Sequence, residues 1–463
     1  MSARLIDSAR RIAPLAWPVL IGQLSVVAFG TIDTLLVARH STRDLAALAV
    51  GGACYFTIFI GFMGVVMALS PIVGQLFGAH RHHEAGAQLH QAVWLALALS
   101  LPGCALLLFP GPLIALAQLN AELEPVVRAY LATLAISLPA ALLFSAFRAF
   151  NTAVSRPKAV MVLQLAALAV KAPLSWLLLE GAPALGVPAL GVIGCALATA
   201  IVMWLQLAAA YVVLRRDRFY RQFEVFSATR RGLRRPGRQA LRKLLALGVP
   251  MGLSVLIEVS GFTLMAVFIA RLGTSQVAAH QIAANLMSML FMFPLALAHA
   301  TSALVAQHVG ARELSQARRL GWHGLALGIA LAIVCGVAAV LARGPLVALY
   351  THDAAVAAVA TAIVAWLALF HVGDAAQTVA AFVLRSWRIA TGPMLIYAAA
   401  LGGVGLGGGY VLAFDVLGNT PAWLRGAVGF WVAGSAGLAL AALALSGLLW
   451  WVLRQRVLRG VAG

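Results

Sequence analysis

The sequence predicts an all-α integral membrane protein, with twelve transmembrane helices in two pseudo-symmetric six-helix lobes. Three observations predict it. The 463 residues are 62% hydrophobic and only 10% charged, against roughly 25% charged in a soluble domain. Apolar segments of about 20 residues recur along the chain, each long enough to cross roughly 30 Å of hydrocarbon as a helix. The two halves of the chain also align with each other at one constant offset. Lipid offers no partner to a free backbone group, so each segment must satisfy its own, and a bundle of helices results.

In order, the spans fall near residues 13–38, 47–70, 89–112, 125–147, 159–179, 189–214, 244–270, 278–304, 320–342, 354–384, 393–415 and 424–453. The first is too long for a removed signal peptide and lacks a small-residue cleavage site. It also holds Asp33, the one charge between Ala13 and Ala38. A charge near the middle of a span costs about 2.5–3.5 kcal/mol on insertion scales, so its presence needs a reason. Span 5 holds Lys171, the one base away from the ends of a span. Spans 7 and 10 hold the acids Glu258 and Asp374.

The net charge of +19 comes almost entirely from arginine. With the N-terminus cytoplasmic, 26 of the 33 bases fall on the cytoplasmic side, Arg148 and Arg385 among them. This positive-inside asymmetry places both termini in the cytoplasm and accounts for the basicity without nucleic acid. The expected location is the cytoplasmic (inner) membrane. The four cysteines lie in apolar segments without metal spacing and read as small packing residues.

The longest polar stretch, Arg215 to Lys243, separates six spans from six. The domains are therefore 1–214, a basic linker 215–243 expected to lie along anionic lipid, and 244–463. At an offset of 232, Pro18 meets Pro250, Ala38-Arg39 meets Ala270-Arg271, Gln75 meets Gln307, and Gly78-Ala79 meets Gly310-Ala311. With one residue of slip, "GPL" at 111–113 meets "GPL" at 344–346. Six spans per half start both halves from the same side, so the repeats are parallel about an axis along the membrane normal. Two-lobed transporters have this architecture. The acids do not follow the repeat: Asp33 falls opposite Met265, and Glu258 opposite Val26.

Other motifs are weaker. "HRHHEAGAQLH" (80–90) could bind zinc by letters, but it fits a cytoplasmic connection better. "GGVGLGGG" (402–409) lies in span 11 with no preceding strand, so close helix approach explains it better than a dinucleotide site. No nucleophile, base and acid occur together in one span or loop, so an enzyme is not expected.

"LAWPVLIGQL" (15–24), Asp33, "GQLFGA" (74–79), "LGVPMGLSVLIEVSGF" (247–262), "VAAHQIAANLMSMLFMFP" (277–294), "AQHVGA" (306–311) and "GDAAQ" (373–377) resemble the multidrug and toxic compound extrusion (MATE) family, in its NorM-like branch. The resemblance implies a secondary exporter of organic cations or amphipathic drugs. It implies exchange for protons or sodium ions by alternating access. The family's functional acids correspond to Asp33, Glu258 and Asp374, with Glu258 and Asp374 as metal ligands only if sodium is the coupling ion. Gln281 and Asn285 match polar positions of span 8, and Phe291 is placed as cavity-lining by the same analogy.

Two departures stand out. Span 5 usually carries asparagines four residues apart, and here Lys171 and Ser175 occupy them. Lys171 either pairs with Asp33 or extends to the outer interface. A tyrosine usually precedes the span-10 acid by four residues, and here it is Phe370, which favours protons over sodium. Ser175 and Phe370 are further candidates for a cavity wall. No cofactor is implied; the partners are the bilayer and a small cationic or amphipathic substrate, and a monomer is expected. The alternative reading is a flippase or exporter of a lipid-linked or polysaccharide precursor.

Overall fold

The structure, a computed structural model, describes residues 3–112, 114, 122–183, 186–226 and 233–460. Among the described residues the main α-helices are, in order, α1 (Ala3–His40), α2 (Thr42–Val66), α3 (Leu69–Gly78), α4 (His82–Leu108), α5 (Glu124–Ala153), α6 (Pro157–Glu180), α7 (Val192–Arg216), α8 (Arg238–Ala270), α9 (Thr274–Gly310), α10 (Leu314–Leu341), α11 (Arg343–Ala348), α12 (Ala354–Ser386), α13 (Thr391–Tyr397), α14 (Gly408–Ala413) and α15 (Ala427–Gly460). A π-helical segment, Ala398–Gly407, joins α13 to α14. Among the described residues, twelve helical stretches are long and apolar enough to cross a membrane. Each contains one of the twelve expected segments apart from a residue or a few at its ends.

The chain gathers into two compact units. The N-terminal unit is Ile21–Gly252; the C-terminal unit is Met1–Leu20 with Leu253–Gly463. The lobes expected at 1–214 and 244–463 thus exchange the first parts of α1 and α8. Packing gives the reason. Ile12 is fully buried in the core of the C-terminal unit, with Leu15 and Ala16 against it, and Ser8 Oγ lies 2.7 Å from His323 Nδ1. In the N-terminal unit, a Cβ on Gly248 or Gly252 would stand 2.5 Å from Val65 O or 2.7 Å from Gly61 O. Only glycine lets these backbones approach so closely. Both exchange points come two residues after a proline, Pro18 and Pro250. Proline removes the hydrogen bond to the residue four before it, so the two parts of such a helix are less tightly tied to each other.

The repeat survives at backbone level. α3 ends with His80 at φ 57° and α9 ends with Arg312 at φ 62°, 232 residues apart. Arg81 N–H donates to Leu76 O as Glu313 N–H does to His308 O, both at 2.9 Å. α5 and α12 end likewise at Ser155 and Arg388, with Arg156 N–H on Asn151 O and Ile389 N–H on Leu384 O. All four are left-handed C-terminal caps that satisfy the last carbonyls of a helix. The second pair is 233 apart, so the one-residue slip of the sequence alignment persists. The halves differ elsewhere: α2 and α3 are broken at Met67–Ala68, whereas α9 runs through unbroken.

The linker is anchored on protein at its start. Residues 227–232 lie outside the described residues. Arg218–Phe223 form a short 3-10 turn whose Tyr220 and Phe223 rings are fully buried on protein, while Arg218, Arg221 and Gln222 stay exposed. Tyr220 Oη donates to Asn151 Oδ1 at 2.5 Å, and Arg156 bonds Asp217 at 2.8 Å while covering the Phe219 ring. Histidines of the 80–90 stretch hold the following residues: His90 Nε2 is 3.0 Å from Val225 O, and His83 is 3.1 Å from Glu224.

The π segment has a packing cause. A Cβ on Gly437 of α15 would meet Ala400 O at 2.7 Å, and Gly405 lies against Gly434. The glycine run of span 11 therefore serves close approach, through a wider helix than the α-helix the sequence suggested.

Candidate functional site

In the N-terminal unit, Asp33 on α1 and Lys171 on α6 form a buried ion pair. Lys171 Nζ donates to both carboxylate oxygens, at 2.7 and 2.8 Å, to Ser175 Oγ at 2.6 Å and to Cys195 O on α7 at 3.1 Å. Ser175 Oγ–H donates to Asp33 Oδ1 at 2.9 Å. Lys171 and Ser175 are wholly buried and Asp33 is 7% exposed. Two close approaches assemble the group. A Cβ on Gly194 would stand 2.3 Å from Leu178 O, so glycine lets α7 draw near α6 and brings the Cys195 carbonyl within reach. Gly22 likewise faces the Gln164 amide across α1 and α6. A buried ammonium and carboxylate each need every proton and lone pair matched, and here the matching is nearly complete.

In the C-terminal unit, two acids meet one amide. Gln377 Nε2 donates to Asp374 Oδ1 at 2.9 Å, to Glu258 Oε1 of α8 at 3.3 Å and to Thr378 Oγ1 at 3.0 Å. Gln377 is wholly buried, and its Oε1 has no hydrogen-bond partner. Asp374 is 6% exposed and Glu258 half-buried. Neither acid enters an ion pair among the described residues. Arg385, 7% exposed near the end of α12, covers the Phe382 ring and acts on Glu258 electrostatically, as it does on Tyr397 of α13. It does not touch either carboxylate.

The sequence candidates sort themselves accordingly. Lys171 pairs with Asp33 and does not extend to the outer interface. Ser175 is no cavity wall, because it is enclosed in that pair's hydrogen bonds. Phe370 is 3% exposed and packs on Trp431 and Phe262, ring centroids 4.9 and 5.9 Å away, so it belongs to the core. Phe291 is half-buried beside the same core. Gln281 and Asn285 are exposed on α9, and Gln377 makes the amide contact to Glu258 and Asp374. Arg385, expected on the cytoplasmic side, lies in the last turn of α12 and is buried, as a guanidinium can be when it stacks on an aromatic ring. Arg148 too lies inside a helix, α5. Gln377 was legible in one respect only: it stands three residues after Asp374, the spacing of one helix face.

A twelve-span helical chain of two similar halves, each burying its own carboxylate site, defines a membrane transporter. The MatE family profile matches this chain twice, at residues 18–177 and 250–411, and the two matches begin 232 residues apart, the offset of the internal repeat. The chain is 42% identical to the Probable multidrug resistance protein NorM of Aromatoleum aromaticum, over 96% of this chain and 95% of that one. It is 34% identical to the protein of the same description from Chromobacterium violaceum, over 99% and 97%. A crystal structure of the Vibrio cholerae MATE transporter VcmN in the bent form superposes with a TM-score of 0.85 at 17% identity, over 99% of each chain. The chain belongs to the MatE family, the multidrug and toxic compound extrusion transporters. It is a multi-pass membrane transporter and not an enzyme.

Proposed function

We propose that this protein is a multidrug exporter that exchanges organic cations and amphipathic drugs for a coupling cation at Glu258, Asp374 and Gln377. The relatives' description as multidrug resistance proteins supports the cargo class. One observation carries the site. Asp33 is already neutralised by a lysine of the same chain, at 2.7 Å, whereas the two acids of the C-terminal unit share an amide and enter no ion pair among the described residues. Two carboxylates on one donor need a mobile positive charge, and an exchangeable cation supplies it. Phe370 has no hydroxyl to offer a metal ion, which favours the proton. The exporter lies in the inner membrane with both termini cytoplasmic, a reading supported by the arginine asymmetry.

The test is efflux of a fluorescent organic cation from proteoliposomes under separately imposed pH and sodium gradients. A pH gradient alone drives efflux in the wild type. Glu258→Gln combined with Asp374→Asn abolishes it while the protein still inserts and purifies as a monodisperse species. Full efflux in that double variant overturns the site, and efflux driven by sodium alone overturns the choice of ion.

A further inference from the structure

The first part of α1 belongs to the C-terminal unit, and His308 and His323 fasten it there. Ser8 Oγ–H donates to Arg4 O at 3.2 Å, so its 2.7 Å contact with His323 Nδ1 on α10 is made by an imidazole N–H. Arg11 Nη2 lies 2.8 Å from His308 Nε2, in the last turn of α9. His308 Nδ1 lies 2.5 Å from Glu313 Oε2, at the start of α10.

The duplicated scaffold shows what is particular here. His323 stands 232 residues after Gln91 of α4. The Gln91 amide accepts from Gly237 N–H at 2.7 Å and donates to Arg235 O at 3.0 Å, just before α8. These two positions thus hold corresponding stretches of chain. The equivalent of His308 is Leu76, which offers no such tie.

The two histidine ties respond differently to a proton. A guanidinium only donates, so His308 Nε2 accepts from Arg11, and the neutral ring carries its proton on Nδ1 towards Glu313. A second proton, on Nε2, removes the acceptor and sets an imidazolium against the guanidinium. The Glu313 contact gains from that same charge. His323, by contrast, donates to Ser8 in its neutral and its charged form alike. α9 packs also on α10, α12 and α15. Among the described residues, Arg11 and Glu313 are the charged groups bonded to His308. Arg319 of α10 acts on His323 electrostatically.

We propose that His308 is a proton-operated fastening of α1. Neutral, it holds Arg11; protonated, it keeps Glu313 and lets go the turns of α1 before Ile12. Ile12 stays in the core of the unit, so the release is confined to those first turns. No cargo or coupling ion enters this device, which stands or falls apart from the export reading.

Amide hydrogen exchange of the whole protein in lipid nanodiscs, corrected for the intrinsic pH dependence of exchange, reads the release between about pH 8 and about pH 5. The amides of Asp7 to Arg11 are the ones to follow, since the first four N–H groups of a helix have no helical acceptor. In the wild type their protection falls about fivefold as the pH drops, the worth of one hydrogen bond. His308→Gln, whose amide oxygen accepts from Arg11 at either pH, keeps the protection at both. Arg11→Met, which has no bond to lose, is less protected at both and shows no fall. His323→Gln keeps the fall of the wild type. Equal protection of the wild type at the two pH values overturns the proposal, as does an undiminished fall in His308→Gln. A fall that vanishes in His323→Gln overturns it too, by moving the switch to the other histidine. Should His308→Gln fail to fold, Arg11→Met decides: a fall that persists without the guanidinium overturns the proposal, and its loss sustains it.

Discussion

The acid of the N-terminal unit and the acids of the C-terminal unit occupy one duplicated scaffold, yet their charge is handled in opposite ways. Asp33 receives a lysine ammonium on both oxygens, a serine hydroxyl on one, and the ammonium itself is completed by a carbonyl. Glu258 and Asp374 receive one amide between them, and the amide's own oxygen is left over. The first arrangement closes on itself. The second leaves Gln377 Oε1 without a partner and both acids without an ion pair among the described residues. Symmetry of the backbone therefore says little about symmetry of the chemistry, because a helix register can be duplicated while single side chains change freely. Two-lobed transport in this chain is expected to divide its labour, with ion coupling concentrated in one half.

The largest effect should come from breaking the closed site. Lys171→Ala leaves the Asp33 carboxylate buried without its counter-charge and should destabilise the protein by about 3–5 kcal/mol. Adding Asp33→Asn to Lys171→Ala should recover much of that loss, since no orphan charge remains. A double-mutant cycle on thermal unfolding in detergent measures the coupling. Additive effects would mean that the pair is not the energetic unit described above.

Next in size is an attack on the approach that builds the same site. Gly194→Val places a side chain where Leu178 O stands 2.3 Å from a Cβ. Overpacking of this kind costs about 1–3 kcal/mol, and it should also pull the Cys195 carbonyl away from Lys171. Gly402→Ala, at a position with open space around its Cβ, is the control and should be nearly silent. Equal melting temperatures for the two variants would refute the packing account.

The open site should respond more in function than in stability. Gln377→Leu removes the shared amide and also an acceptor that had no partner. Its stability loss should stay near about 1.5–3 kcal/mol, the range for hydrogen bonds to charged groups. The dependence of efflux on the imposed pH gradient should shift markedly. A variant with unaltered gradient dependence would show that Gln377 merely packs.

The smallest effect lies outside the membrane and sets the baseline. Asp415 accepts the Thr420 backbone N–H at 2.8 Å, its chief influence, and also faces Arg425 at 2.8 Å; together they hold its carboxyl below the ordinary value of 3.8. A lowered folded-state value contributes stability above the unfolded value, and that contribution disappears as pH falls through the lowered one. Acid unfolding of the wild type should therefore steepen slightly below pH 3.8, and Asp415→Asn should remove that increment. No difference between the two acid titrations would exclude the contribution.

The sequence by itself determined the solvent, the number of spans and the duplication. Composition and segment length report the bilayer directly; Gln75 and Gly78 keep the offset because the helix cap they precede is repeated, and Pro18 because the point at which the chain changes units is repeated. It also marked Asp33, Lys171, Glu258 and Asp374, since a charge in an apolar run is visible without coordinates. It did not show that Arg385 turns inward to Phe382, that Gln377 and not Gln281 joins the two acids, or that Tyr220 and Phe223 of the linker are buried on protein. Nor did it show that the first parts of α1 and α8 change units beyond Pro18 and Pro250. Those outcomes depend on which face of a helix meets which neighbour. In a chain apolar on nearly every face, periodicity carries little of that information. Close glycine contacts such as Gly194 on Leu178, decided only when the helices pack, supply the rest.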